Sequence, residues 1–519
     1  MKKTYLMFLM AGAMLASCDL ETLPKNQLID KEALQVPANF KQARVSLYAS
    51  LKGCVNSQSF AAAPEIQADL FNAVAGYSNT YGDSYRWDFT PQTSCFSTVY
   101  GGCQGTIASA NWIIDGYNKL DLSNTNVFDP NPTTNGQTDT DKGLLVVRKA
   151  KGEAFFARAY AIYQLVKYFS PAYTEANANE PNLGASYMLH YAPNCDRNDY
   201  PGRKTLAESY QQIYNDLDSA DVYINQAGQA QCEYISIDAV SALRARVALD
   251  RGDWETAWDN ATILCDDGTY TLAASTTELN DLFTYDGHLQ GATEAIFQLT
   301  SATTSELPSA QGTRYLPFSD GSVPDFIPTK SFLDLYSDDD YRKAVFFTQG
   351  NIATTTGTAG TVYMFNKYPD HGYLYIAFSN IESARFAHEP IMFRVAEMYL
   401  IAAEAGAHLN KRTAKSYLTD LMEARNADTS VSLKTNDEIL AEVKNERARE
   451  LVGEGFRLND LKRWHMGIKR GTPQQRNLCN LPGSSTTDLS RNADDYQMVW
   501  PIPKQEMDVN KNIKQNAGW

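Results

Sequence analysis

Apolar residues recur at helical spacing in eight stretches of the chain, separated by polar segments. The stretches cover residues 36–51, 107–120, 146–169, 206–224, 237–250, 254–265, 391–409 and 413–426. Gly53 follows the first stretch, and Ser170-Pro171 follows the third, where proline cannot continue a helix. This periodicity predicts a mostly helical protein.

One short turn suggests how the helices are arranged. The segment 252–257, GDWETA, lies between two predicted helices and resembles the turn of a tetratricopeptide repeat. In such repeats each helix pair stacks on its neighbour. The same design returns in the pair 391–409 and 413–426, with Ala414 at the small-residue position.

Two long segments lack this helical pattern. Residues 56–103 are rich in Ser, Asn, Gly and Tyr and are predicted to form loops. Residues 270–390 alternate short strand-like runs, such as 295–299, with stretches rich in Gly, Pro, Thr and Ser. Long irregular segments on a rigid frame are usually where binding residues lie.

The segment 446–464 has the densest mixture of opposite charges. Glu446 and Glu450 are one helical turn apart, and Gly453 and Gly455 then break the helix before a second one begins. The segment is either a helix-turn-helix corner held by ion pairs or a catalytic carboxylate cluster. Structural ion-pair networks gather charges in the same way, and the composition favours the corner.

Composition excludes one class of partner. The chain has 519 residues, 43% of them apolar, and a formal charge of −15. Removal of Lys2 and Lys3 with a leader would take the charge to −17 (−15 − 2). So acidic a surface repels phosphates, which argues against nucleic acid as a partner.

The first residues indicate export. Residues 1–17 are predicted to be a signal peptide, with Lys2 and Lys3 preceding an apolar run. The run ends in Leu-Ala-Ser-Cys at 15–18, which resembles a bacterial lipobox and makes Cys18 the expected lipidation site. An ordinary secretory leader is the alternative. Residues 18–35 would form the lipidated N-terminus and tether. Lipid chains on Cys18 would anchor the protein to the membrane without a transmembrane helix.

Metal, cofactor and disulfide signals are weak. No CxxC pair occurs, and the six histidines are not at metal-ligand spacing. An EF-hand register over the acidic loop 129–141 would place Lys142 where the bidentate Glu belongs, which favours a solvated loop. We therefore predict no metal and no cofactor. Cys95 and Cys103 are close enough in sequence to be considered as a disulfide pair.

Catalytic signatures are also missing from the sequence. It contains no GxSxG, GxxxxGK[ST], HExxH or GxGxxG motif. We predict that the protein is not an enzyme. A glycoside hydrolase stays as an alternative, because its two carboxylates need only be close in space.

Three segments together resemble the SusD/RagB family of Bacteroidetes outer-membrane lipoproteins. The first is residues 394–405, RVAEMYLIAAEA, and the second is 446–464, similar to the family pattern ER..EL..EG.R..DL.RW. The third is the C-terminal ending from Pro501 to Trp519, where Ala517 and Trp519 depart from the family's usual Pro and Tyr.

The resemblance implies a fold and a role. The fold would be a single domain over 36–519, with about four tetratricopeptide-like helix pairs near 36–120, 142–226, 236–266 and 391–464. A large irregular half with short strands would come from insertions near 56–103 and 270–390. The implied role is a lipoprotein on the outward face of the outer membrane. It would deliver a nutrient, usually an oligosaccharide, to a SusC-like TonB-dependent transporter, and Asp19 and Glu21 suit the family's surface-export signal.

Candidate ligand residues are densest in the stretch 77–88. Aromatic rings cover the flat faces of sugar rings, and polar side chains meet the hydroxyl groups. The predicted binding residues are Trp87, Tyr81 and Tyr85 as the stacking platform and Asn79, Asp83 and Arg86 as polar contacts. A secondary ligand patch in the long insertion comprises Tyr285, His288, Tyr315 and Phe318. The alternative for the main stretch is that Trp87 and one Tyr form the core of a folded loop.

Three functions are open at this point. Glycan capture comes first, and peptide capture on the same scaffold comes second, because some family members serve peptide importers. Hydrolysis comes third. The sequence does not identify the ligand.

Overall fold

The computed structural model describes residues 33–55, 58–129, 133–134, 137–138, 143–193, 195–224, 228, 232–288, 293–308, 323–355, 357–480 and 490–519. The predicted leader, Cys18, most of the tether, and Tyr315 and Phe318 lie outside these residues. Most of the acidic loop 129–142 also lies outside them.

Most elements are helices. In chain order they are α1 Pro37–Val55, α2 Gln58–Gln67, α3 Gly82–Arg86, α4 Ser94–Asn118, α5 Leu144–Phe169, α6 Leu206–Tyr223, α7 Ile237–Arg251, α8 Trp254–Asp266, α9 Thr276–Thr284, α10 Lys330–Leu333, α11 Tyr341–Val345, α12 Tyr373–Ala377, α13 Val395–His408, α14 Ala414–Ala424, α15 Asn436–Leu451, α16 Arg457–Arg463 and α17 Lys504–Val509. Short 3₁₀ turns lie at Arg197–Asp199, Thr304–Glu306, Glu382–Ala384, Arg476–Leu478 and Tyr496–Met498.

The strands are short and pair two by two. They are β1 Phe71–Ala73, β2 Thr133–Thr134, β3 Gln137–Thr138, β4 Ala295–Gln298, β5 Phe326–Pro328, β6 Phe347–Ala353, β7 Ala359–Phe365, β8 Ile391–Arg394, β9 Ile468–Lys469 and β10 Ser490–Arg491. The described pairs are antiparallel: β1 with β5, β2 with β3, β4 with β8, β6 with β7 and β9 with β10. Pairs this small depend on the surrounding core for stability.

The long helices pack as stacked pairs. Helix α1 packs on α4, α5 on α6, α7 on α8 and α13 on α14, while α4–α5 and α8–α13 contacts join successive pairs. Small residues allow this close approach: a Cβ added at Gly406 of α13 would lie 2.4 Å from the Trp258 ring and 2.8 Å from Ala414. The mostly helical, tetratricopeptide-like scaffold is therefore confirmed.

The predicted turn at 252–257 forms as expected. Gly252 ends α7 with a left-handed φ of 78°, a conformation that glycine adopts without strain. Asp253 then caps α8 by accepting a hydrogen bond from the Thr256 amide. Residues at the turn itself thus fix where one helix ends and the next begins.

Two predicted boundaries are wrong. The stretch 56–103 was expected to be loop, but it contains α2, α3 and the first part of α4, which begins at Ser94 rather than near residue 107. Gly102 favours this packing, because an added Cβ would lie 2.8 Å from the Gly53 carbonyl of α1. The stretch 391–409 begins as strand β8, whose partner β4 confirms the strand predicted near 295–299.

The corner 446–464 is a structural brace, as its composition indicated. The Glu450 carboxylate accepts hydrogen bonds from Arg394 Nη1 at 2.5 Å, Arg425 Nη2 at 2.8 Å and Arg342 Nη1 at 3.0 Å. All four side chains are buried. Burial alone would raise the pKa of Glu450, but the three guanidinium groups lower it well below its usual value. The carboxylate is therefore held ionised and has no room for a substrate.

The proposed Cys95–Cys103 disulfide is wrong. Both residues lie on α4 and are free thiols, as are the other cysteines in the described part of the chain. Eight residues along a helix correspond to a rise of about 12 Å, too far for an S–S bond. None of the described helices is both long and apolar enough to cross a bilayer.

Candidate functional site

The predicted ligand stretch folds around a short helix with unusual flanks. Helix α3 lies between Tyr81 and Trp87, whose φ angles are 55° and 60°, and Asn79 just before it has a φ of 68°. Left-handed backbone is uncommon for residues other than glycine and persists where surrounding contacts impose it. Three such residues within nine positions indicate a tightly specified loop.

The Arg86 guanidinium supplies those contacts. Its Nη1 donates to the Tyr77 hydroxyl at 2.6 Å and to Asn79 Oδ1 at 2.5 Å. Its Nη2 donates to Asp83 Oδ1 at 3.2 Å, and its Nε donates to Asp88 Oδ2 at 3.1 Å. We call these five residues the Arg86 cluster. One Nη2–H of Arg86 has no partner among the described residues.

Gly82 makes the Arg86 cluster possible. A Cβ at this position would lie 2.0 Å from Asn79 Oδ1 and 2.7 Å from Arg86 Nη1. Upstream, both carboxylate oxygens of Asp325 bind Ser78, one through the backbone amide and one through the hydroxyl, each at 2.6 Å. The loop is thus attached to the segment leading into β5.

Trp87 and Tyr85 do not present ring faces to solvent. Trp87 is only 2% exposed, and its Nε1 donates to the Gln67 carbonyl at 2.9 Å. Tyr85 is fully buried, with its hydroxyl donating to the Asn480 carbonyl and the Arg470 guanidinium 4.2 Å from its ring centroid. The structure does not support these two rings as a stacking platform. They form the core of the loop, which was the stated alternative.

Two other tyrosines remain partly exposed beside the polar groups. Tyr81 and Tyr77 are both half-buried. The Tyr77 ring packs on the Phe326 ring, with 5.6 Å between the ring centroids. Asn79 and Asp83 are exposed. The structure thus brings Asn79, Asp83 and Arg86 together as expected. Tyr77 and Asp88 also belong to this group, although they were not among the predicted binding residues of the stretch 77–88.

The secondary patch centres on His288. Its imidazole stacks on Tyr373, with 3.8 Å between ring centroids, and its Nε2 lies 2.6 Å from Glu389 Oε2. Tyr285 is half-buried at the end of α9. Tyr373 and Glu389 were missed, although the aromatic run His371–Phe378 was a signal available in the sequence.

Two histidine–carboxylate pairs hold this patch. Buried His388 faces Asp286 Oδ1 at 2.9 Å through Nδ1 and the Pro369 carbonyl at 2.7 Å through Nε2. Burial lowers the pKa of His388, but Asp286 and the carbonyl outweigh it and the net shift is upward. The pKa of His288 is raised in the same way, with Glu389 opposing the effect of burial.

No group of three or more His, Cys, Asp or Glu is arranged to hold a metal within the part of the chain that the structure describes. What the Arg86 cluster offers is a set of oriented donors and acceptors beside aromatic rings. That arrangement is suited to binding an uncharged, hydroxyl-rich molecule.

Comparisons with known proteins identify the class to which this helical-repeat scaffold belongs. The model described as "SusD family" matches residues 341–519, and the model described as "Starch-binding associating with outer membrane" matches residues 20–249. The chain belongs to the SusD/RagB family, which confirms the resemblance.

Solved structures share the fold. A SusD superfamily protein from Bacteroides thetaiotaomicron VPI-5482 is 23% identical with a TM-score of 0.74, covering 93% of this chain and 99% of that one. A protein described as a putative sugar binding protein from Bacteroides vulgatus ATCC 8482 is 23% identical, with a TM-score of 0.71 and coverage of 94% and 99%. A SusD-like carbohydrate binding protein from the same organism is 19% identical, with a TM-score of 0.74 and coverage of 92% and 97%. No curated protein sequence matches the chain.

Proposed function

We propose that this protein is a lipoprotein on the outward face of the outer membrane. It binds an oligosaccharide and delivers it to a SusC-like TonB-dependent transporter. It acts by binding and not by catalysis. Family membership and the name of the model matching residues 20–249 support the carbohydrate class and the association with the outer membrane.

The observation that carries the ligand proposal is the Arg86 cluster. The side chains of Asp83 and Asp88 are 52% and 54% exposed, so acceptor oxygens remain open to ligand hydroxyls. Arg86 holds them in place before a ligand arrives, which reduces the entropy lost on binding. Tyr77 and Tyr81 provide partly exposed aromatic surface next to these groups.

Calorimetric titration with a panel of neutral oligosaccharides tests the site. We would use maltoheptaose, cellohexaose, xylohexaose and mannohexaose. For any sugar that binds the wild type, Arg86→Ala is expected to weaken affinity at least about tenfold, since it removes the group that orients four side chains. Gly82→Ala should weaken it similarly, because the added methyl group collides with Asn79 and Arg86.

The matched control is Arg244→Ala. Arg244 also bridges two aspartates, Asp218 and Asp221, but it does so on the scaffold helices α6 and α7. Its loss should leave affinity unchanged. Unchanged affinity in Arg86→Ala and Gly82→Ala would remove the Arg86 cluster from the ligand site.

Two further measurements separate the alternative functions. Binding of a peptide library with no response to any sugar in the panel would favour peptide capture. Release of reducing sugar by the purified protein would favour a hydrolase.

The anchor and the partner need tests in cells. Cys18→Ala should move the protein from the membrane to the soluble fraction, because the expected lipid attachment site is lost. A tagged wild-type protein should co-purify with a barrel transporter after detergent extraction. Recovery of only a free, soluble monomer from outer-membrane extracts would contradict both parts of the proposal.

A further inference from the structure

A large cavity lies against the outer face of α1 and adjoins the secondary patch, since the Ser301 amide in one of its walls donates to Glu389 Oε1 at 2.5 Å. Its volume is about 650 Å³, within the range of about 300–1,000 Å³ typical of small-molecule sites. One wall is α1 from Lys41 to Gly53, and the others are residues 233–234 and 300–307. We call it the α1 pocket, and it shares no lining residue with the Arg86 cluster.

Tyr234 provides aromatic surface in the α1 pocket. The residue is 38% exposed. Tyr48 meets its ring edge-on, with 6.2 Å between centroids, and the charged groups of Arg44 and Lys149 lie 5.7 and 5.0 Å from its centroid. These contacts fix the ring while part of it stays open.

A buried ion pair makes the wall behind Tyr234 rigid. Glu153 of α5 is fully buried and accepts hydrogen bonds from Arg44 Nε at 2.5 Å and Nη2 at 2.7 Å. It also accepts from the Tyr48 hydroxyl at 3.0 Å, and that hydroxyl accepts from the Ile235 amide at 2.9 Å. The backbone next to Tyr234 is therefore tied to two scaffold helices, so the site is preformed.

The opposite wall is also joined to α1. Lys52 Nζ lies 2.6 Å from Glu306 Oε2, and Glu306 in turn accepts from the Ala302 amide at 3.3 Å. The Ser301 hydroxyl donates to the Glu306 carbonyl at 3.1 Å. The turn 304–306 is thereby held at a fixed distance from the helix.

The charges around the α1 pocket nearly cancel. The basic residues in its wall are Lys41, Arg44 and Lys52, with Lys149 against Tyr234, and the acidic ones are Glu233 and Glu306, with Glu153 behind them neutralising Arg44. On a chain of charge −15, such a balance disfavours a strongly charged ligand of either sign.

Apolar surface completes the α1 pocket. Val45 is 69% exposed, and Ala49 and Leu307 line the cavity near it. An exposed Val beside an aromatic ring and several hydroxyl and carboxylate groups matches a ligand with C–H faces and a hydroxyl rim.

We propose that the α1 pocket is a second carbohydrate-binding site, which takes a neutral oligosaccharide segment with one sugar ring against Tyr234. The ligand class rests on the proposed function. The position rests on the cavity, its aromatic residue and its preformed walls. Two sites on one chain would allow a long glycan to be held at two points, which raises the effective concentration at the second site.

The test uses the full-length folded protein and the same four-sugar panel. The wild type is expected to show two binding events. Tyr234→Ala should weaken one of them about tenfold or more, while Tyr234→Phe, which keeps the ring, should stay within about threefold. Ala49→Trp should abolish that event by filling the cavity, because Ala49 is an exposed lining residue. Thermal unfolding of each variant checks that the fold is kept.

The results separate this site from the Arg86 site. Arg86→Ala should affect only the other event. A single event in the wild type, insensitive to Tyr234→Ala and Ala49→Trp, overturns the second site and leaves the proposed function standing. A single wild-type event that is lost in those two variants but unchanged by Arg86→Ala would support the α1 pocket and contradict the Arg86 site. No binding event with any of the four sugars would overturn the second site.

Discussion

Two clusters of arginine and carboxylate groups in this molecule use the same chemistry in opposite settings. In the corner 446–464, Glu450 and its arginine partners are buried and closed off from solvent. In the Arg86 cluster, the carboxylates of Asp83 and Asp88 are more than half exposed. Charge density alone would select the corner as the active region. Exposure and open hydrogen-bonding positions instead select the loop.

The physical difference is desolvation. A buried charge needs several partners to offset the hydration that it has lost, and the Glu450 carboxylate is already occupied by three guanidinium groups. Half-exposed charges keep much of their hydration and can exchange water for a ligand hydroxyl. Substitutions in the corner should therefore change mainly stability, and substitutions in the Arg86 cluster should change mainly binding.

The largest effect on stability is expected from a substitution in the corner 446–464. Glu450→Gln removes the anion shared by Arg342, Arg394 and Arg425 and leaves buried cations with reduced compensation. We expect the free energy of unfolding to fall by about 3–5 kcal/mol, measured by denaturant titration. Glu423→Gln, at an exposed position of α14, should change it by less than about 0.5 kcal/mol. Similar unfolding midpoints for the two variants would show that the buried Glu450 carboxylate stabilises the fold no more than an exposed one.

A second buried carboxyl group, that of Glu65, should stabilise the fold at low pH, whereas Glu450 stabilises it at high pH. Burial raises the pKa of Glu65 to about 7, although it accepts hydrogen bonds from the Gly455, Phe456 and Arg457 amides. The unfolded chain releases this proton near pH 4.5 and the folded chain near pH 7. The stability from Glu65 is therefore complete below pH 4.5 and lost as pH rises to 7.

The substitution Glu65→Gln isolates this contribution. Between pH 5 and pH 8, the wild type should lose up to about 3 kcal/mol more unfolding free energy than the variant, as a shift of this size requires. Glu450, whose pKa is lowered, has the opposite sign: its contribution is present above pH 4.5 and is lost as pH falls below that value. Identical pH profiles for the wild type and Glu65→Gln would contradict the prediction.

A substitution at Trp87 tests whether this residue stabilises the loop core or binds the ligand. Trp87→Phe removes the hydrogen bond to Gln67 and part of the ring volume in a buried site. We expect a loss of about 1–3 kcal/mol in unfolding free energy and an oligosaccharide affinity within about twofold of the wild type. A large loss of affinity with unchanged stability would return Trp87 to the ligand site.

The parts of the fold that could be predicted are those whose determining residues lie close together in the sequence. The turn at Gly252 and Asp253 was predicted because its capping residues lie within the turn itself. The 446–464 corner was predicted because its charges and glycines are close in sequence. The mispredicted start of α4 has another cause: Ser and Gly are weak helix formers, and its packing against Gly53 is not visible in sequence.

The candidate site was predicted only in part for a similar reason. The gathering of Asn79, Asp83 and Arg86 follows from their closeness along the chain. The burial of Trp87 and Tyr85 depends on partners far away in sequence, Gln67 and Asn480. The stack of His288 on Tyr373 also joins distant segments. Aromatic residues in a loop serve either as its core or as its surface, and only tertiary contacts distinguish the two.

Apart from the control at Glu423, the smallest change in stability is expected at Arg86, where an exposed and a buried arginine cluster can be compared directly. Arg86→Ala removes contacts to side chains that water can solvate, so the free energy of unfolding should fall by less than about 1 kcal/mol. Arg425→Ala removes the same type of side chain from the buried corner and should lower it by at least about 3 kcal/mol. Denaturant titration of the two variants, beside the sugar titrations, gives both quantities. A loss above about 2 kcal/mol at Arg86 would mean that its cluster braces the fold as the corner does. A weaker sugar affinity in that variant would then reflect a disrupted loop and not a lost contact.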